Sequence, residues 1–564
     1  MFVTFGALFY AVNAAFPRRT VYSEGSFSRD ENEVNVLPDL PGPLPHSSHV
    51  LFRGVSFMTR FPKALLVLAL AGVGAAASAA EITVSVYSAF TTLDPYDASD
   101  TLSQNVAKSF YEGLFGFDKD MKLQNVLAEG YEVSDDGLVY TVKLRKGVKF
   151  SDGEPFNAAA VKANFERVIN PDNHLTRYTL YKNIDRIEAV DDYTVKFHLK
   201  EAFSAFINQL AHPSGVMMCP KILNLPKKDI AFNPCGTGPY TLEKYNPAEY
   251  LIVKKNPNYW QAGLPKLERI NFRPVLEDAT RVAMLRTGEA QYCDVVPPEQ
   301  VERLKESKDI VVSVSPSIVQ RQIYLNNTKK PFSDVRVRKA LNYGLNKEAL
   351  VKVLFKGYAA PATGVAPKGI DYATQFGAWP YDVNKAKELL KEAGYPNGFT
   401  ATLWAASNSS ANQKLLQFLQ QQYSRIGVKL QVRALEAGQR VSLVQSVGPD
   451  KSQMEMFTWG WSASTGELDW VLRPLLATSS FPPANSNYGF YSNPKVDNAL
   501  VAALKTTDRT TKQKIYDEAQ KMIWEDAPWV FLTVDHDISA HAKNLVNFHS
   551  LPDGGFEFLR AELK

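Results

Sequence analysis

Histidine and cysteine are scarce in this chain, eight and three among 564 residues, which removes much metal and nucleophile chemistry from consideration. His212, His536 and His541 lack metal-ligand spacing, no H-E-x-x-H motif occurs, and these histidines read as structural. The G-x-S-x-G elbow of serine hydrolases is missing as well. No glycine-rich loop follows a strand and opens a helix. Gly236-Thr237-Gly238-Pro239 is too short, and its proline lacks an amide that a phosphate would need. Charge of one sign is also lacking: 63 Lys and Arg are interspersed with 59 Asp and Glu, without the basic footprint of a nucleic-acid-binding protein. An apolar run at 64–73 is too short to span a bilayer. No catalytic residue, metal or cofactor is therefore assigned.

What is present is the composition of a soluble globular chain, 45% apolar and 22% charged, whose length exceeds what one hydrophobic core supports. At least two lobes are expected. Residues 1–57 are rich in Pro, Ser and Gly and carry no sustained periodicity, so they read as a disordered, over-extended N-terminus. Met58 opens a three-part export signal over 58–79: a positive region with Arg60 and Lys63, the apolar run, and Ala77-Ser78-Ala79 as cleavage site. The chain after Ala79 is expected in the periplasm, free of a lipid anchor because no cysteine follows the cleavage site.

Alternating strands and amphipathic helices follow. Residues 82–87 (ITVSVY) alternate as a strand, then deliver Phe90, Thr91 and Thr92 to a loop before a helix over 102–110 capped by Asp100 or Thr101. Asp135-Asp136-Gly137 marks a hairpin turn, a second hairpin falls at 193–199, and helices are expected at 161–168, 277–286, 384–393 and 411–426. The stretch MEMFTWGWSASTGELDW (454–470) starts as an aromatic strand and breaks into small hydroxyls, a glycine and two carboxylates. Flat apolar walls beside a few polar groups suit a polar organic ligand. The same pattern suits an ordinary connection in which Ser464 or Thr465 caps a helix beginning near Glu467.

The run VSDDGLVYTVKLRKGVKFSDGEPFNAAAVKANFERV (133–168) resembles the signature region of the solute-binding proteins of peptide-type ABC importers, the dipeptide- and oligopeptide-binding family. Collinear matches continue through NPCGTGPYTLEKYNP (233–247), NPNYWQAGLPKLERINFR (256–273), DATRVAMLRTGEAQ (278–291), KPFSDVRVRKALNYGLNKEALVKVLF (330–355) and YDVNKAKELLKEAGYPNGF (381–399), so the resemblance spans essentially residue 81 to the C-terminus. The runs at 90–116, 180–184, 203–213, 357–365 and 460–470 are similar to the glutathione-binding branch of that family. In dipeptide and oligopeptide binders an Asp in the last of these runs pairs with the peptide's α-amino group. Here Ser464 takes that place, which suits a γ-linked peptide whose ammonium sits elsewhere.

The resemblance implies an α/β, two-lobed periplasmic-binding-protein fold with an inserted subdomain in lobe I. The expected boundaries are lobe I at 80–320 with 530–564, the insertion at about 121–228, and lobe II at 321–529, with crossings near 319–324 and 530–535. It implies a monomer that captures glutathione or a related small peptide in the interlobe cleft and docks on an ABC permease with its ATPase subunits at the inner membrane. A general di- or tripeptide binder and a haem or nickel-chelate binder are the alternatives within the family, and a hydrolase is the reading outside it.

Glutathione carries two carboxylates, an ammonium, two amides and a thiol. Its carboxylates call for arginine, whose fork donates two parallel bonds. Arg321 at the expected hinge is the first choice, and Arg177 beside Tyr178 the second. Asp469 or Glu467 would accept from the ammonium, while Ser462, Ser464 and Thr465 from lobe II and Thr91 and Thr92 from lobe I would bond the peptide units. Phe90, Trp404, Trp461 and Tyr491 would supply walls, with Ser407 and Asn408 beside them. Each has a plain structural alternative: an exposed ion pair for an arginine, a helix cap for Asp469, the core for an aromatic. Cys219 and Cys235 lie a short connection apart, which in an exported protein favours a disulfide and leaves Cys293 buried and alone.

Overall fold

Residues 80–406 and 409–564 are described by the computed structural model. Residues 1–79, on which the expected over-extended N-terminus and export signal fall, and Ser407 and Asn408 lie outside the described residues. Strand β1 (Glu81–Val86) buries Ile82, Val84 and Val86 completely, the period of two that a pleat imposes. Helix α1 (Thr101–Ala107) follows. Asp100 caps it, its carboxylate accepting from the Ser103 amide at 2.8 Å. Strands β2 (Arg269–Pro274) and β3 (Tyr292–Cys293) flank β1 in parallel, and helix α2 (Asp278–Thr287), capped by Glu277, makes the crossover between them.

Strand β4 (Ile310–Leu325) then runs the width of the molecule. In the second half of the chain, β5 (Thr400–Ala405), β6 (Lys429–Ala434) and β7 (Met456–Ser462) follow, then helices α3 (Asp469–Leu476) and α4 (Arg509–Asp526), and finally β8 (Trp529–Ala542). All eight strands belong to one 11-stranded sheet in the order β6-β5-β7-β4-β8-β3-β1-β2, which two further strands, Tyr250–Lys255 and Tyr240–Asn246, continue at the β2 edge, while the eleventh, Ala359–Pro361, pairs with β8 off this path.

The long strands β4 and β8 pair antiparallel from Ile310↔Ala542 to Tyr324↔Trp529 and are shared by both lobes. One half of β4 has β8 as its partner on the side of β3 and β1. The other half, Val319–Leu325, also pairs with β7, and the register breaks between Pro316 and Gln320. Proline has no amide to give the ladder, so the chain bends at Pro316 without losing a bond it could have made. The insertion holds a separate four-stranded antiparallel sheet, ordered Ala128–Val133, Val139–Leu144, Thr194–Leu199, Ile184–Asp191, with the helix Ala158–Ile169 in the same segment. Cys219 and Cys235 are joined, their Cα atoms 5.3 Å apart, and Cys293 is a buried free thiol on β3.

Candidate functional site in the interlobe cleft

Parallel strands point their carboxyl ends to one side, and crevices at those ends are where open α/β sheets take ligands. In the first lobe the ends of β1 and β3 bring Tyr87 and Asp294 to the shared strands. In the second, the parallel strands β5 and β7 end at Ala405 and Ser462. The two sets of ends meet across β4 and β8.

The lobes are also in direct contact beside this crevice. Asn208 of the insertion donates to the Thr465 carbonyl at 2.9 Å, and the Ser204 amide donates to the Leu504 carbonyl at 2.9 Å. The Arg473 guanidinium lies 4.9 Å from the Phe203 ring centre, and the His212 and Trp470 rings are 5.6 Å apart. Trp461 packs against the cores of both lobes and donates its indole N–H to the Trp470 carbonyl at 2.9 Å.

The segment after β7 is shaped by two ion pairs. Glu467, 2% exposed, meets the Lys512 ammonium of α4 at 2.8 Å and accepts from the Asp469 amide at 2.7 Å. Burial raises the Glu467 pKa and Lys512 opposes that rise. Asp469 is gripped by Arg473 one turn along α3, with contacts of 3.0, 3.1 and 2.6 Å. The helix therefore starts at Asp469 rather than near Glu467, and Leu468 at its N-cap makes no side-chain bond, so neither Ser464 nor Thr465 caps it. Both acids expected to receive a ligand ammonium already have cationic partners within the protein. What the segment presents is hydroxyl: Ser462 Oγ is buried without a partner and Ser464 is 9% exposed, while the Thr465 hydroxyl, 2% exposed, donates to the Glu467 carbonyl at 3.4 Å.

Arg321 is similarly engaged. Its Nε lies 3.0 and 2.8 Å from the two Asp535 oxygens and its Nη2 2.8 Å from Oδ2, so the pair ties β4 to β8 and Asp535 holds the guanidinium pKa up. Gly460 stands opposite Arg321 in the register, and a Cβ there would sit 3.7 Å from Arg321 Cγ and 3.3 Å from Val319 Cγ1. Arg177 is different: Nε and Nη2 both donate to the Ala98 carbonyl at 3.0 and 2.7 Å, and no carboxylate pairs with it among the described residues. Burial of this unpaired cation lowers its pKa to about 10.

The remaining expected residues divide between site and scaffold. Phe90, 4% exposed, packs on Tyr245 in the first lobe's core, ring centres 6.2 Å apart. Thr91 bonds Asp100 and Ser103 at the head of α1, and the Thr92 hydroxyl accepts from the Asp94 amide at 3.1 Å, so both threonines organise their own loop. Tyr178 is half-buried at the start of a one-turn helix. Trp404 is 7% exposed in the second lobe's core, and Tyr491 donates to Asp526 at 2.6 Å within the same core.

Four polar residues were not singled out in the sequence. Asp294 and Asp537, from the ends of β3 and from β8, each hold a buried carboxylate oxygen without a partner. Burial pushes them up to about 7 and about 8, and for Asp537 the nearby Asp553, Asp535 and Asp294 add to the rise. The Tyr87 phenol beside them is raised as well, by burial and then by Asp294 and Asp100. Across the cleft, Arg440 donates to the Ala406 carbonyl at 2.9 Å and lies 5.0 Å from the Trp459 ring centre, while Trp459 stacks on Tyr488 at 5.7 Å. Its Nε is buried without a partner and no carboxylate pairs with it among the described residues. Asp537 was visible in Asp535-His536-Asp537 within the apolar strand VFLTVDHDISAHA, whereas Asp294 follows a short strand and carried no comparable signal. Arg440 carried no local signal.

A two-lobed α/β clamshell with a polar, aromatic-walled cleft defines a ligand-capturing protein. The chain belongs to family 5 of the bacterial extracellular solute-binding proteins, whose middle-region model matches residues 122–482. It is 58% identical over 489 residues to the glutathione-binding protein GsiB of Salmonella typhimurium, covering 87% of this chain and 96% of that one. It is 57% identical over 487 residues to GsiB of Escherichia coli O1:K1, covering 86% and 95%. Among solved structures it superposes on the periplasmic binding protein DppA of Helicobacter pylori, determined with the peptide STSA, with a TM-score of 0.76 at 28% identity, covering 86% of this chain and 98% of that one. No helix among the described residues is long and apolar enough to cross a membrane.

Proposed function

We infer that this chain is the periplasmic solute-binding component of an ABC importer and that it captures glutathione between its lobes, unaltered, for delivery to a membrane permease and its ATPase. The observation that carries the specificity is the segment Trp461–Thr465: it offers hydroxyls and no free carboxylate, because Glu467 and Asp469 are held by Lys512 and Arg473. An α-peptide's terminal ammonium finds no anion there.

Lobe I at 80–320 with 530–564, its insertion at about 121–228, and lobe II at 321–529 form the clamp, and residues 58–79 are the export signal. Arg177 from lobe I and Arg440 from lobe II, the cleft arginines without a carboxylate, take the two ligand carboxylates. Asp294 and Asp537 take the ammonium, which supplies the counter-charge their buried oxygens lack. Ser462, Ser464 and Thr465 bond the amides. Because the contacts come from both lobes, the ligand favours the closed state over the open one, as closure requires. Capture needs no bond to break, and no residue is assigned a catalytic role.

Calorimetry with reduced glutathione, its disulfide and the α-linked Glu-Cys-Gly isomer tests this. Reduced glutathione or its disulfide is expected to bind at least about tenfold more tightly than the α-isomer. Tighter binding of the α-isomer would overturn the specificity and leave solute capture standing.

A further inference from the structure

A cavity of about 560 Å³ is lined by first-lobe residues alone, of which Phe117 and Met121 also meet Gly466 of the second lobe, and none of the residues assigned to the interlobe cleft lines it. Its floor is the sheet at Tyr240, Ile270 and Phe272, and the C-terminal segment Phe556–Arg560 covers it. Aromatic residues are prominent in the wall, among them Phe117, Tyr240, Tyr259, Trp260, Phe272 and Phe556. Deep in the wall sits Glu112. Its Oε1 accepts from the Tyr259 hydroxyl and its Oε2 from the Trp260 indole N–H, both at 2.8 Å, so the carboxylate is fixed between two rings. Tyr240, 3% exposed, adds a lining residue whose hydroxyl is buried without a partner.

The charges around the cavity have one sign in excess. Four carboxylates line it, Glu112, Asp118, Asp553 and Glu557, against Lys108 and Arg560. Lys108 is spent on Asp553 at 3.1 Å. His212 adds no charge at neutral pH, because burial depresses its pKa, and its Nδ1 accepts from the Ser214 amide at 3.1 Å. Arg145, 4.8 Å from the Trp260 ring centre, already occupies one face of that indole. Aromatic faces attract cations through the ring quadrupole, and Glu112, which burial raises to about 7, gives up its remaining proton when a cation arrives and then supplies the counter-charge. The volume falls within the range of small-molecule sites. Glutathione, a net anion at neutral pH, is repelled by the same lining.

We propose that this cavity is a second ligand site, separate from the interlobe cleft, and that it takes a small organic cation with an apolar body, a protonated or quaternary amine. The test uses the whole protein saturated with glutathione, so that the cleft is occupied, and compares choline with its uncharged isostere 3,3-dimethyl-1-butanol by ligand-observed NMR. Choline is expected to bind at least about tenfold more tightly than the isostere, with or without glutathione. Glu112→Gln is expected to remove that preference and to leave glutathione affinity within about twofold. Equal binding of choline and the isostere by the unmodified protein overturns the proposal whether or not the variant folds. Displacement of choline by glutathione overturns it too, since the cation would then occupy the cleft.

Discussion

An arginine already engaged by a carboxylate of its own protein and one left unpaired do different work, and the cleft holds both kinds. Arg321→Met is expected to cost about 1–2 kcal/mol of stability, because it strands Asp535; the arginine's partial exposure keeps the loss below that of a fully buried pair. A double-mutant cycle with Asp535→Asn read by chemical denaturation checks this. Arg440→Met and Arg177→Met are instead expected to weaken glutathione binding by about 10- to 100-fold each with little change in thermal midpoint. The carboxyls give a signature of their own. Asp537 and Asp294, raised to about 8 and about 7 by burial, are partly protonated at pH 7 in the free protein. An arriving ammonium lowers both pKa values, so protons leave on binding and affinity rises between pH 6 and 8. Calorimetry in two buffers of different ionisation enthalpy detects the release, and identical heats in both would show that the ammonium binds elsewhere. Residue type alone made the hydroxyls of 461–465 legible in the sequence. It could not show that Arg321 and Glu467 find partners in the fold, since Asp535 and Lys512 are 214 and 45 positions away, whereas Arg473 lies one helical turn beyond Asp469 and that pairing was within local reach.

At the scale of elements, buried pairs set the stability of the ligand-facing segment. Lys512 joins α4 to the loop before α3, and both partners are nearly fully buried, at 3% and 2% side-chain exposure. Lys512→Met is therefore expected to destabilise by about 3–5 kcal/mol, since Glu467 is left charged and alone, with denaturation of the double variant Lys512→Met/Glu467→Leu recovering most of it. The disulfide closes a loop of 16 residues, for which chain entropy gives about 3 kcal/mol. Alkylation of the unfolded, unreduced chain should label one thiol, the otherwise buried Cys293, and labelling of three would contradict the bond. Elements with local signals were legible: Asp100, one of the two candidate caps, opens α1, the helix expected over 277–286 begins one residue later with Glu277 as its cap, and the hairpin at Asp135-Asp136-Gly137 turns where φ of Gly137 is +69°. The start of α3 was misplaced because a pattern of small hydroxyls looks the same whether it caps a helix or faces a cleft.

For the whole molecule, three raised carboxyls set the response to pH. Glu112, Asp294 and Asp537, at about 7, 7 and 8, hold protons that the unfolded chain releases near pH 4, so folded stability falls as pH rises from about 4 to 7. His212 acts oppositely, since its depressed pKa costs stability below about pH 6.5. Asp537→Asn is expected to raise the thermal midpoint at pH 7.5 and leave it unchanged at pH 4.5. The two-lobed architecture was legible because the family resemblance is collinear over almost the whole chain, whereas the register of β4 against β8 depends on contacts more than 200 residues apart, and periodicity carries no such range. Clamping itself is read most directly by small-angle X-ray scattering of the exported protein with and without saturating reduced glutathione. A smaller radius of gyration with glutathione is expected, with the ligand recovered chemically unchanged. Superimposable curves at full occupancy, or a cleaved tripeptide in the recovered ligand, would contradict capture by lobe closure.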